Sequence, residues 1–211
     1  MIGMMYLVLT ALLALNISKE VLNGFVKVEN SLRTTQGTLN AKVNETSGEL
    51  ETKYLQNQEK VKPFYDKAQE LNKESKELIA YITEMKARIM AASAGDYDDN
   101  GELNLGGYLG KDENGMDTVL NLALIPIKDE YQNVTTFVGM AEPKNPADGD
   151  WTAVELRKKL EAFRDQMIAI NVVDNQGVRR DLPSYLAEQL NETFAFASET
   201  IEDEEVSWEH A

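Results

Sequence analysis

The chain has 211 residues, with 36 Asp and Glu against 21 Lys and Arg, one histidine and no cysteine. The missing thiols exclude disulfides and thiolate metal sites, and a lone histidine excludes a His-based triad or a multi-His metal site. Charge is uneven: residues 18–95 carry 12 basic and 11 acidic side chains, residues 96–211 carry 9 and 25. So acidic a distal half is unsuited to phosphate backbones, and nucleic acid is not an expected partner.

Residues 1–17 read MIGMMYLVLTALLALNI, with no charged side chain and only Tyr6, Thr10 and Asn16 as polar ones. A helix of that length rises about 25 Å, at the short end for a hydrocarbon core of roughly 30 Å. A cleaved signal peptide would need a basic leader and a small-x-small site, and neither stands in the run. A buried core helix is the other reading of such a run, with the near-continuous apolar surface counting against it, and an in-plane amphipathic helix would show a charged face. The expectation is a single transmembrane helix. Gly3, Tyr6, Thr10, Ala11, Ala14, Asn16 and Ser18 are its candidates for packing against partner helices, because small and hydroxyl residues permit close approach in lipid. Lys19 and Glu20 follow as interfacial charges, or as ion-pair candidates at the membrane exit.

No Gly or Pro interrupts Ser18-Lys19-Glu20-Val21-Leu22, so the helix is expected to continue to about Leu55. A heptad seam extends from the run. One position falls on Leu22, Glu29, Gln36, Val43 and Leu50, the other on Ser18, Phe25, Leu32, Leu39 and Thr46. Such a seam favours a partner helix, often a second copy, although Glu29 and Gln36 are poor core residues. Gln56-Asn57-Gln58 reads as a turn, with Pro63 in the first turn of a second helix. Val61, Phe64, Ala68, Leu71, Ser75, Leu78, Ile82, Met85 and Ile89 give that helix an apolar stripe ending near Ala92. Two long helices joined by a short turn are expected to lie antiparallel.

Residues 93–115 form a Gly/Asp/Asn-rich loop. Asp117 is a candidate cap for a helix over 118–138, kinked at Pro126. Residues 142–150 form a second loop, and an amphipathic helix spans 151–170. Asp174-Asn175-Gln176-Gly177 is a turn, read as a small hairpin between Asn171-Val172-Val173 and Val178-Arg179-Arg180. A last helix covers 183–198, followed by an acidic run over 199–205. The fold class expected is all-α: residues 1–17 as the span, residues 18–211 as one helical hairpin and bundle domain.

Asp96, Asp98 and Asn100, with Gly101, match the start of an EF-hand calcium loop. The twelfth position, which should be Glu, is Gly107, so a turn-rich acidic loop is the better reading. No phosphate-binding glycine loop is present, and the Asp and Glu pairs lie on solvated helix faces. Neither catalysis nor a cofactor is indicated.

The stretch from Met4 to Leu22, MMYLVLTALLALNISKEVL, resembles the N-terminal segment of the GldM/PorM family of gliding-motility and type IX secretion components. Lys60-Val61-Lys62-Pro63-Phe64-Tyr65-Asp66-Lys67-Ala68 and Ser207-Trp208-Glu209-His210 resemble further family segments. The resemblance covers the span and most of the first helical periplasmic domain. Family members begin with a short basic cytoplasmic leader and continue through more periplasmic domains, which implies that this chain is an N-terminal fragment. It also implies a homodimer in the bacterial inner membrane with most of the chain in the periplasm. Its two spans would sit within a ring of GldL/PorL-like subunits, and the assembly would convert proton-motive force into motion. With no titratable group in residues 1–17, the protonatable residue would belong to the ring. The rival expectations are a single-pass sensor with a ligand pocket between its helices and a passive anchored scaffold.

Overall fold

The structure is a computed structural model describing residues 2–111, 117–119, 132–142 and 145–195, and their side chains apart from 2–23, 29 and 117. The chain divides between Gln56 and Asn57 into two units. The first is a single helix, α1 (Ile2–Gln56). The expected end near Leu55 and the turn after it are both found, the turn being the one residue Asn57.

Asn57 caps α2 (Gln58–Ala94), its side chain accepting from the Lys60 N–H at 3.2 Å. The cap settles the place of Pro63 as the sixth helical residue, beyond the first turn expected of it. There it withholds the bond an ordinary residue would give to the Glu59 carbonyl. At the far end Gly95 adopts φ +66°, its N–H reaching the Ala92 carbonyl while Asp96 N–H reaches Ala91. This left-handed cap satisfies the last carbonyls and stops the helix.

α2 is the spine of the second unit. Met85, Ala87, Met90, Ala91 and Ala92 are buried at its C-terminal end. Three alanines on that turn let neighbours approach from several sides, which one apolar stripe would not allow. A β-hairpin of β1 (Leu109–Lys111) and β2 (Asp117–Val119) packs there, with Val119, Leu105 and Tyr108 against Ala87 and Met90. This corrects the expected helix over 118–138, because Asp117 opens a strand rather than capping a helix. Among the described residues of that stretch only α3 (Gln132–Phe137) is helical. Pro126 lies outside the described residues. A second hairpin, β3 (Asn171–Val173) with β4 (Arg179–Asp181), realises the expected one, and a further bond from Leu182 N–H to the Ile170 carbonyl extends it. The unit is therefore mostly helical with two short antiparallel hairpins.

α4 (Ala153–Ile168) begins two residues later than expected because Thr152 is its cap. The Thr152 Oγ1 accepts from Glu155 N–H at 3.2 Å and donates to the Gly149 carbonyl at 2.8 Å. Glu155 reaches back to accept the Trp151 N–H at 2.6 Å, a variant of the capping box set one residue ahead of the cap. Trp151 itself holds φ +64°, a conformation costly for a bulky side chain. Its ring stacks on Tyr81 at 4.8 Å and 7°, while the Arg88 guanidinium lies 4.1 Å from its centroid. Tyr81 and Arg88 stand two turns apart on α2, so the indole slots between them. Tyr81 Oη also donates to Glu155 at 2.8 Å, and Lys159 lies over the Tyr81 ring. Stacking and cation–π contacts each contribute about 0.5–1.5 kcal/mol, enough to offset a strained tryptophan. The clasp fixes α4 on α2. α5 (Ser184–Thr193) then packs on α4 through an edge contact of Phe163 with Phe194.

Burial and the nearby Glu155 carboxylate raise the Tyr81 pKa. Burial opposes ionisation of Glu155, but hydrogen bonds from Tyr81, Trp151 and Lys159 outweigh it and hold its pKa below the ordinary 4.5. A depressed carboxylate stabilises the fold fully above that value, and the contribution fades as pH falls through the folded pKa. Glu155→Gln is expected to lower the melting temperature at pH 7, with the gap from wild type closing as the pH drops below about 4.5; thermal melts across pH check this.

Gly139 gives a second, steric test. It has φ +77°, and a Cβ there would stand 3.0 Å from both the Cβ and the carbonyl oxygen of Ala147. Gly177 has nearly the same φ, +76°, but open space around it. Gly139→Ala is expected to cost about 2–4 kcal/mol and Gly177→Ala about 1–2 kcal/mol, measured by denaturant unfolding.

Candidate functional site

The first unit exposes a row of apolar side chains along one helix. Phe25, Val28, Leu32, Leu39 and Val43 are 68, 56, 64, 57 and 57% exposed along α1. Scattered single residues of this kind need no explanation, but a continuous stripe does. The spacing explains the stripe. From Val21 the positions Phe25, Val28, Leu32, Gln36, Leu39, Val43, Ser47, Leu50 and Tyr54 follow in steps of four, three and four, repeated. The period is eleven residues in three turns.

The sequence itself repeats with that period. Residues 32–42 read LRTTQGTLNAK and residues 43–53 read VNETSGELETK, matching at Leu32/Val43, Thr35/Thr46, Gly37/Gly48, Leu39/Leu50 and Lys42/Lys53. The heptad seam and this stripe differ, the heptad taking Glu29 where the stripe takes Val28. A seven-residue repeat drifts about 20° per heptad in one sense on an ideal helix, and an eleven-residue repeat drifts the other way. Thr34, Thr35, Thr38 and Thr52 turn their hydroxyls back onto the carbonyls of Asn30, Ser31, Thr34 and Gly48. These four donors are thus met within the helix, so the arm needs no side-chain partner for them.

The partner-packing candidates Gly3, Tyr6, Thr10, Ala11, Ala14, Asn16 and Ser18 all fall on the helical backbone of α1, as do Lys19 and Glu20. Their side chains lie outside the described residues. Among the described residues no helix is long and apolar enough to cross a membrane.

Asp96, Asp98 and Asn100 are described, and they build a turn. Tyr97 bridges Leu103, and across the five residues between them Asp98 N–H donates to the Glu102 carbonyl at 2.7 Å. The Asp98 carboxylate accepts the N–H groups of Glu102 and Asn100, both at 2.9 Å, and Gly101 takes φ +81°. Asp174 does the same with Val178 and Gln176, with Gly177 in the left-handed region. Those backbone donors, first Glu102 and first Val178 respectively, hold both carboxyls below the ordinary carboxylate range. The letters Asp-x-Asn-Gly recur at Asp112-Glu113-Asn114-Gly115, which lie outside the described residues. Asp96 is engaged otherwise, accepting from Tyr108 Oη at 3.3 Å and Asn104 Nδ2 at 3.4 Å. The motif that resembles the start of a calcium loop is thus a hairpin device, since both structures ask for side-chain oxygens followed by a glycine. Among the described residues no group of three or more His, Asp or Glu side chains could hold a metal.

The groove lined by Gln69, Asn72, Lys73, Lys76, Glu77 and Ala80 belongs to a single helix, α2. It is a polar strip of one face, unlike the pocket between helices that a solute sensor would require. The Tyr81–Trp151 clasp escapes sequence reasoning altogether, because its partners lie 70 residues apart and neither has a local signal.

Calcium at millimolar concentration is expected to leave the melting temperature of the chain unchanged, while Asp98→Ala lowers it by removing the carboxylate that accepts two backbone N–H groups. A calcium-dependent rise that Asp98→Ala abolishes would restore the metal reading.

A search of curated proteins finds no match. The GldM N-terminal domain family matches residues 20–121, from within α1 through α2 to just past the first hairpin. The segments that resembled this family lie partly inside that range and partly beyond it. Residues 20–121 thus carry the N-terminal domain of the GldM family of gliding-motility and type IX secretion components.

Proposed function

We propose that this chain is the driven element of an inner-membrane motor powered by proton-motive force, non-enzymatic, that carries motion through the periplasm to gliding and type IX secretion. The observation that carries the reading is the continuity of α1. One helix runs from Ile2 to Gln56 without a break at Ser18-Lys19-Glu20, where the apolar run gives way to polar sequence. Beyond residue 17 it rises roughly 58 Å. A helix that leaves the membrane unbroken transmits tilt and rotation, whereas a hinge at the exit would absorb them.

The apolar run supplies the anchor. In lipid every backbone group must be satisfied within the segment, and an uncharged helix does this at no desolvation cost. Its lack of any carboxylate, imidazole or amine divides the work. Proton binding falls to surrounding GldL/PorL-like subunits, and this chain supplies the surface they act on. Gly3, Tyr6, Thr10, Ala11, Ala14, Asn16 and Ser18 form that surface and the contact with a second copy. The bulk of the chain lies in the periplasm.

The test is purification of the full complex in detergent, followed by reconstitution of variants. Thr10→Val with Asn16→Leu removes the polar groups at nearly constant volume. The double variant is expected to assemble and keep its proton flux while motion is impaired. An assembled complex that has lost proton flux would contradict the division of labour, and a monomer without membrane partners would contradict the motor itself.

A further inference from the structure

The exposed stripe of α1 specifies more than the presence of a partner. We infer that residues 21–54 pair in parallel with the same residues of a second copy through an eleven-residue repeat, giving a straight to slightly right-handed arm in place of a left-handed coiled coil. This rests on the homodimer reading and adds its packing geometry.

Three observations converge. The stripe is apolar at two positions of every repeat: Val21, Leu32, Val43 and Tyr54 at the first, and Val28, Leu39 and Leu50 at the second. Its three members from Phe25 to Leu32, with Leu39 and Val43, are more than half exposed on the isolated helix. The chain also repeats itself over residues 32–42 and 43–53, so two copies side by side meet in matching layers at matching heights.

A second copy is the occupant that this self-repeat fits. Leucine and valine layers face their own kind in a parallel pair, which no unrelated helix would reproduce at an eleven-residue interval. The third position of each repeat reads Phe25, Gln36 and Ser47. Polar residues at such core positions reduce stability but select register. Gly37 and Gly48 sit one residue beyond Gln36 and Ser47, and a Cβ at either would meet nothing within 4 Å on the single helix. Since both copies enter from the same membrane, the parallel orientation follows from the anchor.

The heptad and the eleven-residue seams share Phe25, Leu32, Gln36, Leu39, Val43 and Leu50, and part company at Val21 against Leu22, Val28 against Glu29, Ser47 against Thr46, and Tyr54 against Lys53, the next heptad position. The chain contains no cysteine, so single cysteines can be placed in the full chain without background. V28C, E29C, L39C, K53C and Y54C are made in membrane-reconstituted protein, checked for helicity by circular dichroism, and oxidised under mild conditions, with mass measured in parallel. Disulfide dimers of V28C and Y54C at least about fivefold above E29C and K53C are the expected result, with L39C linking in either geometry. Preferential linking of E29C and K53C, or equal linking at all five positions, overturns the eleven-residue arm. A dimeric mass without cross-links at any position, L39C included, overturns pairing along α1 but leaves the homodimer standing. A monomeric mass overturns both.

Discussion

One constraint shapes the whole chain: α1 exposes an apolar stripe along its own length and yet runs as a single helix. Isolated helices in water are marginal, and most helical stability in proteins comes from burying an apolar face. Leu32, Leu39 and Val43 stand in solvent on the single chain, and they are what the proposed second copy would bury. The stripe follows an eleven-residue period that scarcely drifts around an ideal helix, so a partner can stay in contact over several turns without strong supercoiling. A straight arm of this kind suits an element that must carry motion from a membrane into the space beyond it.

The second unit answers a different physical problem. Its spine, α2, narrows to alanines at residues 87, 91 and 92 and gathers a hairpin, α3 and α4 around that end. Local devices then hold the pieces. The Trp151 indole wedged between Tyr81 and Arg88 converts a strained backbone into an anchor for α4, and Glu155 ties cap, tyrosine and lysine into one network. Aspartate-glycine turns close the Tyr97–Leu103 bridge and the β3–β4 hairpin by the same hydrogen bonds. These features are structural, and they leave the acidic surface to solvation.

The long elements were legible from the residues alone, because periodicity and caps are local. The end of α1, the turn at Gln56-Asn57-Gln58, which the structure narrows to Asn57, and the hairpin at Asp174 followed from such signals. Strands β1 and β2 did not, since three residues are too few to show alternation and Asp117 reads equally well as a helix cap. The acidic loop at residues 96–101 invited a metal because an aspartate-led turn and a calcium loop share oxygens and a glycine; only the direction of the Glu102 and Asn100 N–H groups separates them. The eleven-residue period was present in the letters but masked by its agreement with heptads at six positions. The Tyr81–Trp151 contact is long-range and had no signature to read.

The central claim is that motion passes along an unbroken α1. It is tested most directly in cells by inserting eleven Gly/Ser residues between Glu20 and Val21, against a control that duplicates residues 32–42 at their own site. The flexible insert breaks the helix at the membrane exit, while the duplication adds three helical turns in phase. The account predicts that the flexible variant still assembles in the membrane but loses gliding and type IX secretion, with the duplication retaining them. Full gliding and secretion with the flexible insert would contradict it.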